Sequence, residues 1–224
     1  MDLGALPGYR DLIARQYDAI YATLTPESAR ARHTALAPYL TRVLPALELP
    51  DEGYHLDLGC GDGLCALAVA RLRPEMTVVG LDASERAIHL ARALAREDGL
   101  TNAHFAVADA EAPPEGQSER LSALSAFNLL PDKHAALTAW RKRATAEARL
   151  VLTDAFATLG PGTQGAGATS LDGLAQAARV SGWRIVHRED LTPLIKKLHE
   201  ARAWYWPEYL RDGFRYALVA MERK

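Results

Sequence analysis

The chain has 224 residues, of which 49% are hydrophobic and 24% are charged, and this balance is ordinary for a globular protein. Its length fits one α/β domain, or one domain with a small appendage. The formal net charge of -2 argues against a broad basic face for nucleic-acid phosphates and favours a small-molecule partner.

The two cysteines, Cys60 and Cys65, have no histidine or further cysteine at metal-ligand spacing. We interpret them as small apolar wall residues and expect no metal site. The first residues lack the basic and apolar pattern of a secretion signal, and no run of ~18 apolar residues occurs in the sequence. These features predict a cytoplasmic protein that does not associate with a membrane.

The sequence ahead of the first strand predicts helices. Apolar residues recur on one helical face over residues 9–24. Thr25 then suits the N-cap of a second helix, and Pro26 suits its first turn. A further helical stretch over residues 39–49 is expected to be interrupted by Pro45, which has no N–H to donate.

Residues 54–63 read Tyr-His-Leu-Asp-Leu-Gly-Cys-Gly-Asp-Gly, a short strand that enters a glycine turn, and a helix-forming run follows over 64–72. Glycines permit positive φ and leave no Cβ between the backbone and a ligand. The third glycine comes one residue too early for the dinucleotide fingerprint, and Asp57 and Asp62 would repel a pyrophosphate. Alternatively, the glycines form only a tight turn, with Asp57 as a helix cap. The alternating glycines are Gly59, Gly61 and Gly63.

Strands and helices alternate through the rest of the chain. Further strands are predicted over residues 76–81, 104–108, 121–126, 149–153, 183–188 and 214–221. Helices are predicted over residues 84–96, 132–145, 170–180 and 191–205, and loops over 110–118 and 159–169. This alternation predicts an α/β fold with a doubly wound, mostly parallel seven-stranded sheet and helices on both faces.

Acids stand at the ends of the second and third strands. Asp82 lies about 20 residues beyond the glycine turn, where an acid can accept both hydroxyls of a ribose. It could instead cap the next helix, because Asp82-Ala-Ser-Glu85 also fits a capping box. Asp109 could be a simple turn residue. Parallel strands present their carboxyl ends at one edge of a sheet, so Asp57, Asp82 and Asp109 are expected to line a common cleft.

The pattern Asp57-x-Gly59-x-Gly61-x-Gly63, followed by these two acids, resembles the class I S-adenosylmethionine-dependent methyltransferases. The resemblance implies that the glycine loop wraps the methionine part of S-adenosylmethionine, with a carboxylate near its amino group. It also implies that Asp109 and the N–H of Ala110 take the adenine. The residues it assigns to the cofactor are Asp57, Gly59, Cys60, Gly61, Gly63, Asp82, Ala83, Asp109, Ala110 and Leu124.

The resemblance covers roughly residues 53–222 and implies an antiparallel last strand, as in the family's sheet. We therefore expect a methyltransferase domain over residues 51–224, with a helical insertion near residues 190–212. Residues 1–50 are expected to form a helical lid over it.

The turn after the fourth strand bears on which methyl acceptor the chain could use. Many relatives that act on small molecules carry histidines there, where this chain has Asn128 and Leu129. No general base is therefore transferred from the family, and no catalytic residue is assigned. The turn Ser125-Ala-Phe-Asn128 also lacks the Asn/Asp-Pro-Pro-Tyr/Phe pattern of nucleic-acid amino-methylating enzymes.

The candidates for the acceptor pocket are Tyr17, Tyr21, Asn128, Asp154 and Trp204. Tyr17 and Tyr21, one helical turn apart, could instead belong to the core. Asp154 could orient or deprotonate an acceptor, or it could be a turn acid. Trp204 and its neighbour Trp206 could form an aromatic wall, or pin the late helix to the sheet.

We hypothesise that the chain is an S-adenosylmethionine-dependent methyltransferase with a small-molecule acceptor and no nucleic-acid partner. Three alternatives remain open: a module that binds S-adenosylmethionine without transferring its methyl group, a protein or RNA methyltransferase, and an NAD-dependent oxidoreductase. The oxidoreductase would share the fold and Asp82, but it fits the glycine spacing poorly.

Overall fold

The computed structural model describes residues 8–158, 169–203 and 213–224. The strands in these ranges are β1 Gly53–Leu58, β2 Met76–Asp82, β3 Ala103–Val107, β4 Ser118–Leu124, β5 Ala144–Ala157, β6 Trp183–Asp190 and β7 Phe214–Arg223. The α-helices are α1 Tyr9–Tyr21, α2 Pro26–Ala35, α3 Ala37–Leu47, α4 Leu64–Leu72, α5 Glu85–Glu97, α6 Lys133–Arg143, α7 Leu171–Val180 and α8 Thr192–Glu200.

The strands form one seven-stranded sheet in the order β3-β2-β1-β4-β5-β7-β6. β1 pairs in parallel with β2 and β4, β2 pairs in parallel with β3, and β4 with β5. β7 is antiparallel to both of its neighbours, β5 and β6. The prediction of a doubly wound, mostly parallel sheet with an antiparallel last strand is therefore confirmed.

Helices cover both faces of the sheet because its central strands are apolar on both sides. In β5, Val151 and Ala155 pack in one core cluster, whereas Leu150, Leu152 and Phe156 pack in another. α3, α4 and α8 contribute to the first cluster, and α6 and α7 contribute to the second. The continuous apolar run of this strand therefore reflects burial on two faces.

The prediction that Pro45 interrupts the third helix is wrong. α3 continues through Pro45 and ends two residues later, at Leu47. Since Pro45 stands in the last turn, its missing N–H removes a single helical hydrogen bond. Glu48 then ends the helix with a left-handed φ of 48°.

The fourth and fifth strands differ from their predicted bounds. The fourth, predicted over residues 121–126, begins earlier and ends at Leu124. It ends there because Ser125 takes a left-handed φ of 56°, which lies outside the β region. The fifth strand continues further than predicted, to Ala157, because β7 pairs with it as far as Phe214.

The N-terminal helices are buried to different depths. Tyr21 is the buried residue of α1. α2 begins as predicted, with the side chain of Thr25 as its N-cap. α3 buries Tyr39, Val43 and Leu47 in the core cluster that it shares with α4. α3 therefore belongs to the body of the fold, whereas α1 lies mostly at its surface.

Part of the late insertion lies outside the described residues. The helical run predicted over residues 191–205 is seen as α8, which ends at Glu200. Trp204, Trp206 and most of the predicted loop over residues 159–169 fall outside the described ranges. Across those ranges, no helix has both the length and the apolarity needed to cross a membrane.

Candidate active site

A cavity of about 450 Å³ lies at the carboxyl edge of β1 to β4. Its walls are the glycine turn after β1, the ends of β2 and β3, the turn after β4 and one side of α1. The three acids that were expected to share a cleft, Asp57, Asp82 and Asp109, all line this cavity. The sheet brings them together because each lies at or just beyond the carboxyl end of a parallel strand.

The glycine turn approaches its neighbours too closely for a side chain. Gly59 and Gly61 have left-handed φ values of 71° and 56°. A Cβ at Gly59 would clash with the Cβ of Ala126, and a Cβ at Gly61 would clash with the hydroxyl of Tyr21. The turn therefore has no room for a side chain at either position and packs directly against Ala126 and Tyr21.

Asp57 is buried beneath the turn and uses both of its oxygens. Oδ1 accepts a hydrogen bond from Ser122 Oγ (2.5 Å), and Oδ2 accepts one from the N–H of Ala66 (3.2 Å), in the first turn of α4. Ser122 Oγ also lies 2.7 Å from Nε2 of His55. Burial raises the pKa of Asp57 to about 6. The geometry matches the alternative role of Asp57, in which it stabilises the start of the helix.

Asp82 ties the glycine turn to the end of β2. Its Oδ2 accepts a hydrogen bond from the N–H of Gly61 (2.8 Å), and its Oδ1 accepts one from the N–H of Ser84 (2.9 Å). The N-cap of α5 is Ser84, whose side chain accepts a hydrogen bond from the N–H of Ala87 (3.1 Å). The alternative in which Asp82 itself caps this helix is therefore wrong. Burial raises the pKa of Asp82.

Asp109 is connected to α1 by an ion pair. Nη1 of Arg10 lies 2.7 Å from Oδ2 of Asp109, and Nη2 of Arg10 pairs with the carboxylate of Glu111. Oδ1 of Asp109 accepts a hydrogen bond from the N–H of Glu111 (2.8 Å). α1 is thereby fastened across the cavity at the end of β3.

Tyr17 and Tyr21 both line the cavity from α1. Their ring centroids are 6.4 Å apart. Burial raises the pKa of Tyr21, so its phenol stays neutral near pH 7. The same helix is anchored by Asp18, whose Oδ1 accepts hydrogen bonds from Ser84 Oγ (2.5 Å) and from the N–H of Arg86 (3.1 Å). The two tyrosines therefore hold fixed positions beside the glycine turn.

Asn128 and Asp154 do not line the cavity. Asp154 Oδ2 accepts a hydrogen bond from the N–H of Asn128 (2.9 Å), and Nδ2 of Asn128 donates to the carbonyl of Ala155 (2.6 Å). Asp154 is buried, and burial raises its pKa to about 6. It stands three residues before the end of β5, which is longer than predicted. Asn128 and Asp154 therefore stabilise the turn after β4, and we do not assign them to the acceptor pocket.

Of the residues assigned to the cofactor, all but Gly63 line the cavity. A Cβ at Gly63 would instead meet Leu67 and Phe105 at 3.2 Å, on the core side of the turn. The remaining candidate, Trp204, lies outside the described residues. The assigned residues that line the cavity are Asp57, Gly59, Cys60, Gly61, Asp82, Ala83, Asp109, Ala110 and Leu124.

A line of hydroxyl groups, which the sequence did not indicate, runs from the cavity into the core. Ser125 Oγ hydrogen-bonds to the hydroxyl of Tyr216, which lies 3.2 Å from Thr153 Oγ1, and Thr153 in turn bonds to the hydroxyl of Tyr39. Ser125 and Tyr39 line the cavity. Burial raises the pKa of both tyrosines, so the line stays uncharged. It can donate or accept hydrogen bonds without acting as a base.

The cationic side chains among the described residues that line the cavity are Arg10 and Arg32, and neither was assigned from the sequence. The sequence predicts α1 from the apolar residues on one of its faces. Arg10 does not belong to that face, so the pattern does not point to it. α2 has Ala29 as its one buried residue among those described, so its sequence does not indicate which side meets the body. No histidine lines the described cavity.

Among families of known proteins, residues 51–170 match the model of a methyltransferase domain. Matching curated relatives include a 2-heptyl-1-hydroxyquinolin-4(1H)-one methyltransferase of Mycobacteroides abscessus, which is 52% identical over 58 residues, or 26% of this chain and 25% of that protein. A tRNA (guanine-N(7)-)-methyltransferase of Synechococcus elongatus is 41% identical over 66 residues, or 29% of this chain and 31% of that protein. The chain thus spans about a third or less of the length of these relatives.

Solved structures share the fold at low sequence identity. Geranyl diphosphate C-methyltransferase from Streptomyces coelicolor A3(2), solved with Mg²⁺, geranyl diphosphate and S-adenosyl-L-homocysteine, superposes with a TM-score of 0.78 at 17% identity. The match covers 98% of this chain and 100% of that chain. The [4+2]-cyclase SpnF superposes with a TM-score of 0.67 at 19% identity, covering 88% of this chain and 80% of that one.

The family match includes the glycine turn, the three acids that line the cavity and the strands from β1 to β5. It extends over 120 of the 224 residues, which is more than half of the chain. The sheet order and the antiparallel β7 agree with it. The chain therefore belongs to the class I S-adenosylmethionine-dependent methyltransferase family.

Proposed function

We propose that the protein transfers the methyl group of S-adenosylmethionine to a small-molecule acceptor. The observation that carries the proposal is the convergence of the bare glycine turn with Asp57, Asp82 and Asp109 on one cavity. Acidic surroundings favour a cationic sulfonium and disfavour the pyrophosphate of a dinucleotide. The expected cytoplasmic location and the exclusion of nucleic acid stay predictions.

The cavity residues fit the cofactor in three places. Asp82 would hold the ribose hydroxyls, and Asp109 with the N–H of Ala110 would hold the adenine. The backbone of the glycine turn, which lines the cavity, would lie against the amino-acid tail. When bound, S-adenosylmethionine supplies an activated methyl group.

The chain's own contribution is alignment and the exclusion of water. Well-oriented reactants gain several kcal/mol, of order 7–11 in model systems, over reactants that meet in solution. Ser125 supplies a hydroxyl at the cavity wall that can orient a polar acceptor atom, because Tyr216 and the chain's left-handed turn hold it in place. An acceptor that is already a good nucleophile needs no base, and no residue is assigned to that role.

We propose further that α1 is the lid of this site. Arg10 fastens it to the end of β3, and Asp18 fastens it to the start of α5. Tyr17 and Tyr21 face the cavity from it. α3 buries its apolar face in the core, so the lid is smaller than the 50 residues expected from the sequence.

Calorimetry tests cofactor binding. We expect S-adenosylhomocysteine to bind and NAD to show no binding. Asp82→Asn should weaken S-adenosylhomocysteine binding by tenfold or more, because an amide replaces one of the two oxygens that would accept hydrogen bonds from the ribose hydroxyls. Asp51→Asn is the matched control, since Asp51 is fully exposed and does not line the cavity. Binding of NAD in place of S-adenosylhomocysteine would contradict the proposal.

Incubation with S-adenosylmethionine labelled in the methyl group and a metabolite extract tests transfer. The proposal expects label in the small-molecule fraction. Label confined to RNA or to protein would instead support a macromolecular acceptor. RNA is included in the test because a tRNA methyltransferase is among the relatives.

A second candidate is a protein that binds the cofactor without transferring its methyl group. It is favoured by the absence of histidine from the described cavity lining and by the [4+2]-cyclase that shares the fold. Binding of S-adenosylhomocysteine together with no labelled product in any fraction would favour this second candidate.

A further inference from the structure

One wall of the cavity comes from the end of β4 and the turn after it, residues 124–131, which we call the β4 wall. Ser125 is the polar residue among those of the β4 wall that line the cavity. The others are apolar, namely Leu124, Ala126, Leu129, Leu130 and Pro131. The β4 wall therefore offers a ligand apolar contacts and one hydroxyl group, a combination typical of a small-molecule pocket.

The β4 wall lies across the glycine turn from the residues proposed to hold the adenosine. In the sheet, β1 stands between β2 and β4. Asp82 ends β2, and Asp109 follows β3 on the far side of β2. With the adenosine at these two acids, the β4 wall is left for the acceptor.

The cationic groups of the cavity already have carboxylate partners. Arg10 pairs with Asp109 and Glu111, and Arg32 pairs with Asp62. These two arginines are the cationic side chains that line the cavity in the described part of the chain, so an acceptor phosphate or carboxylate would have to compete with an existing ion pair. A cationic acceptor would instead be repelled by the sulfonium of the cofactor. The charges of the cavity therefore favour an uncharged acceptor.

Ser125 is held in place by β5 and β7. Its N–H donates a hydrogen bond to the carbonyl of Thr153 (2.8 Å), and its Oγ hydrogen-bonds to the hydroxyl of Tyr216. Tyr216 is fully buried, and its N–H donates to Oγ1 of Thr192 (3.0 Å) at the start of α8. A hydroxyl group has one proton and two lone pairs, so Ser125 can still bond to a ligand after its bond to Tyr216 is made.

We propose that the methyl acceptor is an uncharged, largely apolar small molecule that places one hydroxyl or carbonyl oxygen against Ser125. The inference rests on the proposed function and names its substrate class. Ser125 is then a specificity-determining residue, because it is the hydrogen-bonding side chain of an otherwise apolar wall. Tyr216 is a positioning residue, because it acts on the acceptor through Ser125.

The first measurement determines the charge of the acceptor. A metabolite extract is separated at pH 7 into molecules that bind an anion-exchange resin, molecules that bind a cation-exchange resin, and molecules that bind neither. Each fraction is incubated with the wild type and S-adenosylmethionine labelled in the methyl group. We expect a labelled small molecule from the fraction that binds neither resin. Product formed mainly from either charged fraction would overturn the proposed class, whereas no small-molecule product from any fraction would refute the proposed function.

The second measurement tests Ser125 in the active fraction, diluted until the rate is proportional to the amount of extract. Ser125→Ala keeps the Cβ and removes the hydroxyl. It should slow labelling by about twofold to tenfold, the range of one neutral hydrogen bond. The affinity for S-adenosylhomocysteine, measured by calorimetry, should stay within about twofold of the wild type. The matched control is Ser118→Ala, because Ser118 lies in the same strand and does not line the cavity.

Ser118→Ala should change neither the rate nor the affinity. An unchanged rate in Ser125→Ala would overturn the role of Ser125, and so would a loss of S-adenosylhomocysteine affinity as large as the loss of rate. If Ser125→Ala does not fold, Ser125→Gly replaces it, since glycine adopts the φ of 56° without strain and also lacks the hydroxyl.

The third measurement separates positioning by Tyr216 from a purely structural role. Tyr216→Phe keeps the buried ring and removes the hydroxyl that bonds to Ser125. It should slow labelling by no more than Ser125→Ala does, and the double variant should be as slow as Ser125→Ala alone, because both changes remove the same interaction. Losses that multiply in the double variant would overturn the positioning role of Tyr216.

Discussion

Gly61 brings the glycine turn against α1, and its conformation gives a test of how the backbone is used. Gly61→Ala should lower stability by about 1–2 kcal/mol, because an L-residue is strained at φ 56°. It should also weaken S-adenosylhomocysteine by at least about tenfold, because the new Cβ would displace the hydroxyl of Tyr21, which lines the cavity beside the turn. Denaturant unfolding and calorimetry measure the two effects.

Gly99→Ala is the control for Gly61→Ala. Gly99 has a similar left-handed φ of 66°, but a Cβ there would meet nothing within 4 Å. It should show the loss of stability without the loss of affinity. Equal S-adenosylhomocysteine affinity in the two variants would mean that the position of Tyr21 beside Gly61 does not matter for cofactor binding.

Asp57 should make the protein less stable as the pH rises. Burial raises its folded-state pKa to about 6, above the ordinary value of 3.8 for an aspartate side chain. The folded state therefore holds a proton that the unfolded chain releases, and this stabilisation is lost between about pH 4 and pH 6. A pKa that is about two higher in the folded state than in the unfolded chain corresponds to roughly 3 kcal/mol of stability.

The measurement for Asp57 compares Asp57→Asn with the wild type by urea unfolding at pH 4, 5, 6 and 7. The variant lacks the titrating group, so its stability relative to the wild type should increase across this range. The comparison cancels the opposite trend from His55, whose pKa burial lowers to about 3. A stability difference that does not vary with pH would show that folding leaves the pKa of Asp57 unchanged.

Among the elements, those set by local physics could be predicted from the sequence. α4 follows the glycine turn over the bounds expected, and α2 and α7 begin after the expected N-caps Thr25 and Ser170. The partners of Asp57 could not be predicted in this way. Asp57 faces Ser122 only because β1 and β4 pair in that register, and a register between strands 65 residues apart has no local signal.

α1 shows the same limit. Its helix and its apolar face followed from periodicity, but its ion pair to the end of β3 depends on where the folded sheet places Asp109. In β5, the end of the strand was predicted too early. The apolar run that stops at Thr153 predicts that Asp154 lies at the end of a strand, whereas pairing with β7 continues the strand three residues beyond Asp154.

If α1 is a lid, removing the ion pairs of Arg10 should increase the local opening of α1 more than it lowers the stability of the whole protein. Arg10→Ala should speed amide hydrogen exchange in residues 9–21, because α1 loses its tie to Asp109 and Glu111. Global stability should change by less than about 1 kcal/mol, since Arg10 is more than half exposed. Adding S-adenosylhomocysteine should slow the exchange again.

The matched control for Arg10→Ala is Arg15→Ala on the same helix. Arg15 donates a hydrogen bond to the carbonyl of Asp11 and does not line the cavity. It should leave exchange close to the wild-type rate. If α1 exchanges at the same rate in wild type and Arg10→Ala, with and without ligand, the lid proposal fails.

In the whole molecule, α3 and α1 differ in how far they belong to the core. α3 supplies Tyr39, Val43 and Leu47 to the core, and the hydroxyl of Tyr39 joins the line that connects α3, β5 and β7. α1 buries Tyr21 and otherwise touches the surface of the body. We therefore propose that the body of the fold includes α3 and starts before the boundary at residue 50 expected from the sequence.

Two truncated chains test this boundary. A chain that begins at residue 23 lacks α1, and it should unfold cooperatively while binding S-adenosylhomocysteine more weakly, because the cavity has lost one wall. A chain that begins at residue 49 also lacks α3, and it should lose cooperative unfolding, because each large buried side chain removed costs about 2–5 kcal/mol and a domain has a margin of about 5–15. Thermal melts followed by circular dichroism distinguish them. A cooperative melt of the shorter chain would place α3 outside the core, and loss of folding in the longer one would make α1 part of the body.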